Sequence, residues 1–326
     1  MVEFEDLENM TANIASQLRK NGVTTVGKLS RKNFEDLKQI LRGVSERKIR
    51  DIQEDTWKAT DGWFKPGSAL VEERKNQLIF PLGCEALDKL LGGGVTSGTI
   101  TEFCGEFGSG KTECLLTLMV EALGKNPTYS ALYYDSEETF SEIRMIEIAE
   151  SRKYNAEEML DRFWMVKVRS TDHLKATIAA ADPEINEKNV KLILVDSPIA
   201  PLRVDYIGRE FLQERQGILG TLLNDLKDYA KIYNLAVVVT NQVVDIPQVV
   251  YYSSDPLAAK KPTGGNIFAH TVDAIVFLRK ASRNRRIARL IDSSWLPEGE
   301  CVFQITGKGI EDTEGIPQEE QGETEG

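Results

Sequence analysis

The chain has 326 residues, 41% hydrophobic and 28% charged, with 40 basic and 51 acidic side chains and a formal net charge of −11. That is enough apolar mass for one large core and a small accessory domain, while the acidity excludes a chain that coats nucleic acid through its overall charge, since neutralising phosphates takes lysine and arginine. With no run of about 18 apolar residues and an opening Met-Val-Glu-Phe-Glu-Asp that is neither basic nor apolar, no membrane span and no secretion leader are expected.

From residue 7 to residue 60 the sequence is polar, with apolar side chains at helical spacing in three short segments, 18–23, 29–41 and 44–52. This predicts a small helical domain over residues 1–62. Within it L-R-G-V-S-E-R-K-I-R-D-I places Gly43 in a turn ahead of Ser45, a candidate cap for a helix through Ile49. The pattern is compatible with a helix-hairpin-helix, whose glycine lets backbone amides approach a phosphate, and equally with a plain helix connection. At 63–68 the run W-F-K-P-G-S breaks the helical pattern, so residues 63–75 are read as a linker and residues 76–312 as the core.

In that core, predicted strands at 100–103, 131–135, 163–168, 191–196 and 235–240 alternate with helices from 111, at 142–152, at 174–181 and at 211–232. Such alternation implies an α/β fold, a mostly parallel sheet with helices on both faces. Three closely spaced strands, 274–279, 287–291 and 301–305, predict an antiparallel extension. The segment R-K-A-S-R-N-R-R-I-A-R at 279–289 holds six bases and no acid, which suits either a face for phosphates or a solvated hairpin. Residues 311–326 carry seven carboxylates and no base, and 313–326 are expected to form an acidic, solvated tail. The four cysteines, Cys84, Cys104, Cys114 and Cys301, lack Cys-x-x-Cys spacing, and only His173 and His270 accompany them, so neither zinc nor a disulfide framework is expected.

The strongest chemical signal is Gly105-Glu106-Phe107-Gly108-Ser109-Gly110-Lys111-Thr112, a G-x-x-x-x-G-K-[ST] match that follows an apolar strand and opens an amphipathic helix. Such a loop turns its backbone amides on phosphates, the helix amino terminus adds positive potential, Lys111 offers an ammonium and Thr112 an oxygen for magnesium. L-I-L-V-D-S ends a strand in Asp196, placed to hold magnesium through its water shell; turns favour aspartate too. Y-Y-D-S-E-E-T-F ends another strand in three carboxylates, one of which could polarise a water, although acids are also favoured at a helix start. A further strand delivers Asn241-Gln242 at its carboxyl end, the edge where open α/β sheets bind ligands.

Five blocks in order, T-E-F-C-G-E-F-G-S-G-K-T, D-Y-I-G-R-E-F-L-Q-E-R-Q, V-V-V-T-N-Q-V-V, K-P-T-G-G-N-I-F-A-H and R-I-A-R-L-I-D-S-S-W-L-P-E-G-E, resemble the RecA/RadA-type recombinases, most closely archaeal RadA and its eukaryotic relatives, over residues 63–312. The resemblance implies a RecA-like P-loop ATPase core that binds ATP and Mg2+. The loop from Gly105 to Thr112, together with Glu113, would then take the nucleotide, Arg144 would stack on adenine, and Thr112 and Asp196 would anchor the metal. It further implies that Glu137 activates water and that Lys111 and Gln242 serve catalysis, Gln242 coupling nucleotide state to DNA. Two DNA-binding loops map to about 200–210, with Arg203 and Arg209 as phosphate ligands, and about 243–263, followed by Gly264 and Gly265. Asp255 and Pro262 would cap a neighbouring subunit's nucleotide, and Phe64 would anchor assembly. The implied partners are single- and double-stranded DNA, further copies of the chain in a helical filament or ring, and recombination mediators, without a membrane. The implied location is cytoplasmic and nucleoid-associated in an archaeon, nuclear in a eukaryote.

Some positions depart from the family pattern. The assembly anchor reads Phe64-Lys65-Pro66-Gly67, with glycine where the family has alanine. Met10-Thr11-Ala12-Asn13 replaces the first glycine hairpin, and Glu138 follows the catalytic glutamate. Slow hydrolysis and weaker polymerisation are the corresponding expectations. They leave open a non-polymerising paralogue that binds ATP as a mediator, and a ring-forming ATPase of the same core fold.

Overall fold

The computed structural model describes residues 2–60, 64–245 and 260–313. Contacts divide the chain into two units, one of residues 1–77 with 179–183, the other of residues 78–178 and 184–326.

The first unit is helical: α1 (Ala12–Lys20), α2 (Val26–Leu29), α3 (Phe34–Ile40), α4 (Glu46–Thr60) and α5 (Gly67–Lys75). Three of the helices start where a short polar side chain takes up an orphan amide: Thr11 accepts from the Ile14 amide, Thr25 from Lys28 and Asn33 from Asp36. Ser45 accepts from the Lys48 amide at the start of α4, as its position after Gly43 predicts. The apolar stripes close on one core that includes Phe4, Leu18, Val26, Leu37, Ile49 and Ile52. Within the stretch read from sequence as a linker, Pro66 occupies the N-cap position and α5 follows it, with none of its residues buried. Proline fixes φ for a helix start, so the break in the pattern also marks that start.

The second unit begins with a two-stranded antiparallel sheet, β1 (Ile79–Phe80) with β2 (Val95–Thr96), around α6 (Glu85–Leu90). The strands β3 (Ile100–Gly105), β4 (Ser130–Asp135), β5 (Phe163–Lys167), β6 (Val190–Asp196) and β7 (Ala236–Asn241) follow. Between them run α7 (Lys111–Lys125), α8 (Glu142–Ser151), α9 (Ala156–Leu160), α10 (Thr171–Ala179), α11 (Asp182–Glu187), α12 (Ala200–Asp205) and α13 (Leu212–Tyr233). A short ribbon, β8 (Val243–Asp245) with β9 (Lys260–Pro262), precedes α14 (Gly265–Thr271) and the strands β10 (Ala274–Lys280), β11 (Arg285–Ser293), β12 (Gly299–Thr306) and β13 (Gly309–Asp312).

One nine-stranded sheet runs in the order β13-β12-β11-β10-β3-β7-β6-β4-β5. It is parallel from β10 to β5 and antiparallel from β10 to β13. Every residue of β3, β4 and β7 is buried, which is why these strands read as continuous apolar runs rather than alternating ones. Leu115, Leu118 and Met119 of α7 pack with Phe103, Tyr133 and Val238 in the main core. The parallel sheet with its antiparallel extension thus agrees with the sequence expectation. The 200–210 segment differs, because its first half is α12, with Pro201 in the first helical turn.

The antiparallel edge is tied to the body by Arg152, whose guanidinium donates to the carbonyls of Lys308 at 2.7 Å and Ile310 at 2.6 Å and pairs with the buried Glu121. Truncation would remove one of the two cations that pair with Glu121 among the described residues, leaving Lys125, and would free two edge carbonyls. Arg152→Ala should therefore lower unfolding free energy by about 1.5–3 kcal/mol, read as a fall in the urea midpoint; an unchanged midpoint would show that the clamp contributes nothing.

Candidate active site

The phosphate loop leaves the sheet at Gly105 and re-enters a helix at Lys111. Gly105 has no room for a side chain: a Cβ there would lie 2.3 Å from the Leu278 carbonyl oxygen. Gly110 caps α7 with φ of +103°, a conformation that L side chains rarely adopt. Together they aim the amino-terminal amides of α7 into the loop, where the helix dipole favours an anion.

Lys111 is buried, and its ammonium donates to the carbonyls of Gly105 and Glu106, both at 3.0 Å. Burial lowers its pKa, while Glu137 and Asp196 pull it back up.

Asp196, at the carboxyl end of β6, is the hub. Its Oδ2 accepts from Thr112 Oγ1 at 2.7 Å, from the Tyr133 hydroxyl at 3.2 Å and from Thr139 Oγ1 at 3.3 Å, and its Oδ1 accepts from Thr240 Oγ1. Tyr133 is correspondingly held neutral, its pKa pushed well up by burial and then by Asp196. A hydroxyl at the first turn of α7 touching a buried carboxylate is the oxygen pair that a magnesium ion beside a phosphate requires, so the residues present fit that ion.

Across a cavity of about 500 Å³ lie Glu137, Ser197, Arg203 and Gln242. Gln242 bridges its walls: Nε2 donates to Glu137 Oε1 at 3.3 Å, and Oε1 accepts from Arg203 Nη1 at 3.0 Å. An acid beside the phosphate loop, an amide at a strand end and an arginine on α12 thus form one chain. Glu138 takes no part in it; it is exposed and sits at a backbone φ of +54°.

Other sequence-selected residues fall around this centre. Arg144 makes a forked pair with Glu113, with contacts of 2.9–3.2 Å, and also binds Glu147 and the carbonyls of Thr306 and Gly307; the two acids, Glu113 foremost, raise its pKa. Glu113 and Arg144 therefore close one side of the loop together. Glu106 pairs with Lys260 at 2.5 Å, bringing β9 and its last residue, Pro262, to the loop. Phe107 is 85% exposed at the loop tip, whereas Ser109 is buried. Lys280 of the basic 279–289 run reaches the loop, its Nζ lying 2.8 Å from where a Cβ on Gly108 would be. Arg209 is exposed beyond α12, and Gly264 and Gly265, both at positive φ, start α14. Phe64 is 97% exposed on the first unit. Asp255 and the greater part of the 243–263 segment lie outside the described residues, as do residues 314–326 of the acidic tail.

Sequence reading missed Thr240, Thr139, Tyr133 and Glu102 as participants, and gave Asn241 a place at the ligand edge without a partner. For Thr240, Tyr133 and Glu102 the available signal was a polar group inside an otherwise apolar, fully buried strand; Thr139, in the turn after β4, had no such signal.

Among the described residues no helix is long and apolar enough to cross a membrane, and no group of histidine, cysteine and acidic residues could hold a metal on its own. The family model described as Rad51 matches residues 73–313, most of the chain, which therefore belongs to the Rad51 family of RecA/RadA-type recombinases. Members of that family bind ATP with Mg2+, bind DNA and oligomerise.

The Thr112–Asp196 pair makes a specific demand. Thr112→Val keeps the shape and removes the oxygen, so it should weaken nucleotide binding about 10-fold or more in Mg2+ and leave binding in EDTA nearly unchanged. A fluorescent nucleotide titration in both buffers reads this; equal losses in the two would remove Thr112 from the metal site.

Proposed function

From membership of the Rad51 family as premise, we propose that this protein is an ATP-dependent recombinase that assembles on single-stranded DNA and carries out homologous pairing and strand exchange. The observation that carries the reading is the chain Glu137–Gln242–Arg203, which joins the phosphate site to a surface arginine through one amide. Lys111 and the loop amides would hold the phosphates, Thr112 and Asp196 the magnesium, and Arg144 with Glu113 would border the base. The bound magnesium nucleotide supplies the phosphoanhydride bond and the counter-charge for its cleavage. Glu137 orients a water and takes its proton, and Gln242 senses whether Glu137 is engaged.

Arg203 and Arg209 would bind DNA phosphates, with Gly264 and Gly265 shaping the return of the 243–263 segment. When a phosphate takes the Arg203 guanidinium, Gln242 loses its acceptor contact and is free to reorganise towards Glu137. DNA binding and nucleotide state become linked, and linkage of this kind is reciprocal. Under this reading residues 1–62 form an accessory helical domain, 63–75 carry the assembly anchor Phe64, 76–312 are the ATPase core and 313–326 an acidic tail. Asp255 and Pro262 would serve a neighbouring protomer's nucleotide. An exposed aromatic such as Phe64 suits head-to-tail assembly, which generates open filaments or rings.

A non-polymerising mediator is the second reading, favoured by Gly67 in the anchor, which opens α5 where the family has alanine and so loses a methyl contact. Strand exchange between a labelled single strand and homologous duplex, with ATP and Mg2+, decides. The wild type should exchange strands, and Lys111→Ala should abolish it, while Arg203→Ala should reduce DNA affinity several-fold with a smaller salt dependence. ATP-dependent DNA binding without exchange would replace this reading with the mediator.

A further inference from the structure

Beside the phosphate loop, on the face of the sheet away from α7, a second acid is buried that the proposed chemistry does not use. Glu102 lies in the middle of β3, fully enclosed. Its Oε1 accepts from Asn241 Nδ2 at 2.7 Å, but its Oε2 has no partner. On the other side of the same contact, Asn241 Oδ1 is also buried and also without a partner. A planar carboxyl and a planar amide share one hydrogen bond, and each keeps one orphaned oxygen. Two acceptors cannot satisfy each other, whereas a proton on one of them can.

We propose that Glu102 is held as the neutral acid, its Oε2–H donating to Asn241 Oδ1, so that the two side chains form a closed acid–amide pair acting as a clamp on the root of the β8–β9 ribbon. The pair would satisfy both orphaned atoms at once, and an unsatisfied buried polar atom costs about 1–3 kcal/mol. Among the described residues, no charged side chain is paired with it. Burial pushes Glu102 up to about 8, against the Asn241 hydrogen bond, which lowers it. Cys104, two residues along β3, is a thiol whose pKa burial raises well above its usual value. Lys227 of α13 and Asp273 ahead of β10 are paired with each other at 3.0 Å. Arg215 of α13 turns to the Gly208 carbonyl, and His270 of α14 is exposed.

The clamp has a mechanical consequence. The second hydrogen of Asn241 Nδ2 goes to the Thr263 carbonyl at 2.7 Å, while the Thr263 amide and hydroxyl return to the Gln242 carbonyl at 2.9 and 2.8 Å. Residues 241, 242 and 263 are thereby stitched together where β8 leaves and β9 returns, and Gln242 is the amide that bridges Glu137 and Arg203. Ionised Glu102 would set a carboxylate against Asn241 Oδ1, turn the amide, and strip Thr263 of its donor. Glu102 is thus a positioning residue for Gln242.

The sign of the pH effect follows from linkage. The folded pKa lies above the unfolded value, so the stability gained is full below the unfolded pKa near 4.5 and is lost as pH rises through about 8. Glu102→Gln is the fitting probe, since a glutamine amide donates where the neutral acid does and cannot ionise. Difference infrared spectra of wild type against Glu102→Gln at pH 7 should show a protonated carboxyl stretch. The ratio of wild-type to variant folding constants should fall about 10-fold per pH unit between pH 6 and 7 and level off above 8. A carboxylate band at that position, or parallel stability curves for the two proteins across pH 6–9, would overturn the proposal. A third measurement rests on the proposed ATPase: its stimulation by single-stranded DNA should decline through pH 8 in the wild type and persist in Glu102→Gln, and equal decline in both would overturn the positioning role. A protein without ATPase activity but with the neutral-acid band would end the functional reading and leave the acid–amide pair standing.

Discussion

A buried carboxylate must be paired or neutralised, and this constraint organises the carboxyl edge of the sheet. Asp196 is met by four hydroxyls, from Thr112 on α7, Tyr133 on β4, Thr139 in the turn that follows, and Thr240 on β7. Each comes from a different part of the chain, so satisfying one acid fixes the distance between the phosphate loop and two neighbouring strands. Hydroxyls also leave the charge in place, where a cation can use it. Glu102, with a single amide for company, illustrates the opposite outcome, burial without enough donors to keep an anion.

Under the proposed reading, the same edge would connect a nucleotide site to a surface. Gln242 emerges one residue past β7 and can reach both Glu137 and Arg203 because the strand end places it between α12 and the turn after β4. An amide suits this position, since it donates to the acid and accepts from the guanidinium at once. The contact to Arg203 is at the surface and easily exchanged for a phosphate, whereas the backbone of Gln242 is fixed through Thr263. A side chain with an exchangeable surface contact on an anchored backbone would suit the proposed sensor role.

Much of this was legible in the sequence, for identifiable reasons. The phosphate loop is local: eight adjacent residues, a strand before and a helix after. Asp196 and Gln242 stood out because each ends an apolar run, and strand ends line the ligand edge of an open sheet. Arg144 was legible only through family resemblance, and its grip on Glu113, 31 residues away, depends on how α8 packs beside α7. Thr240 and Glu102 were passed over because a polar residue inside a buried strand carries no period of its own. Helix α5 went unread because proline at its start signals a pattern break as readily as a first turn, and α12 because the 200–210 segment was placed as a DNA-binding loop by family resemblance alone.

The most direct test of the account is a double-mutant cycle on the stimulation of ATP hydrolysis by single-stranded DNA, using Gln242→Ala, Arg203→Ala and the pair at saturating DNA. If the amide transmits the state of Arg203 to Glu137, each single variant should lose most of the stimulation, and the double variant should lose little more than either alone. Additive losses, or full stimulation in Gln242→Ala, would contradict the coupling on which the functional reading rests.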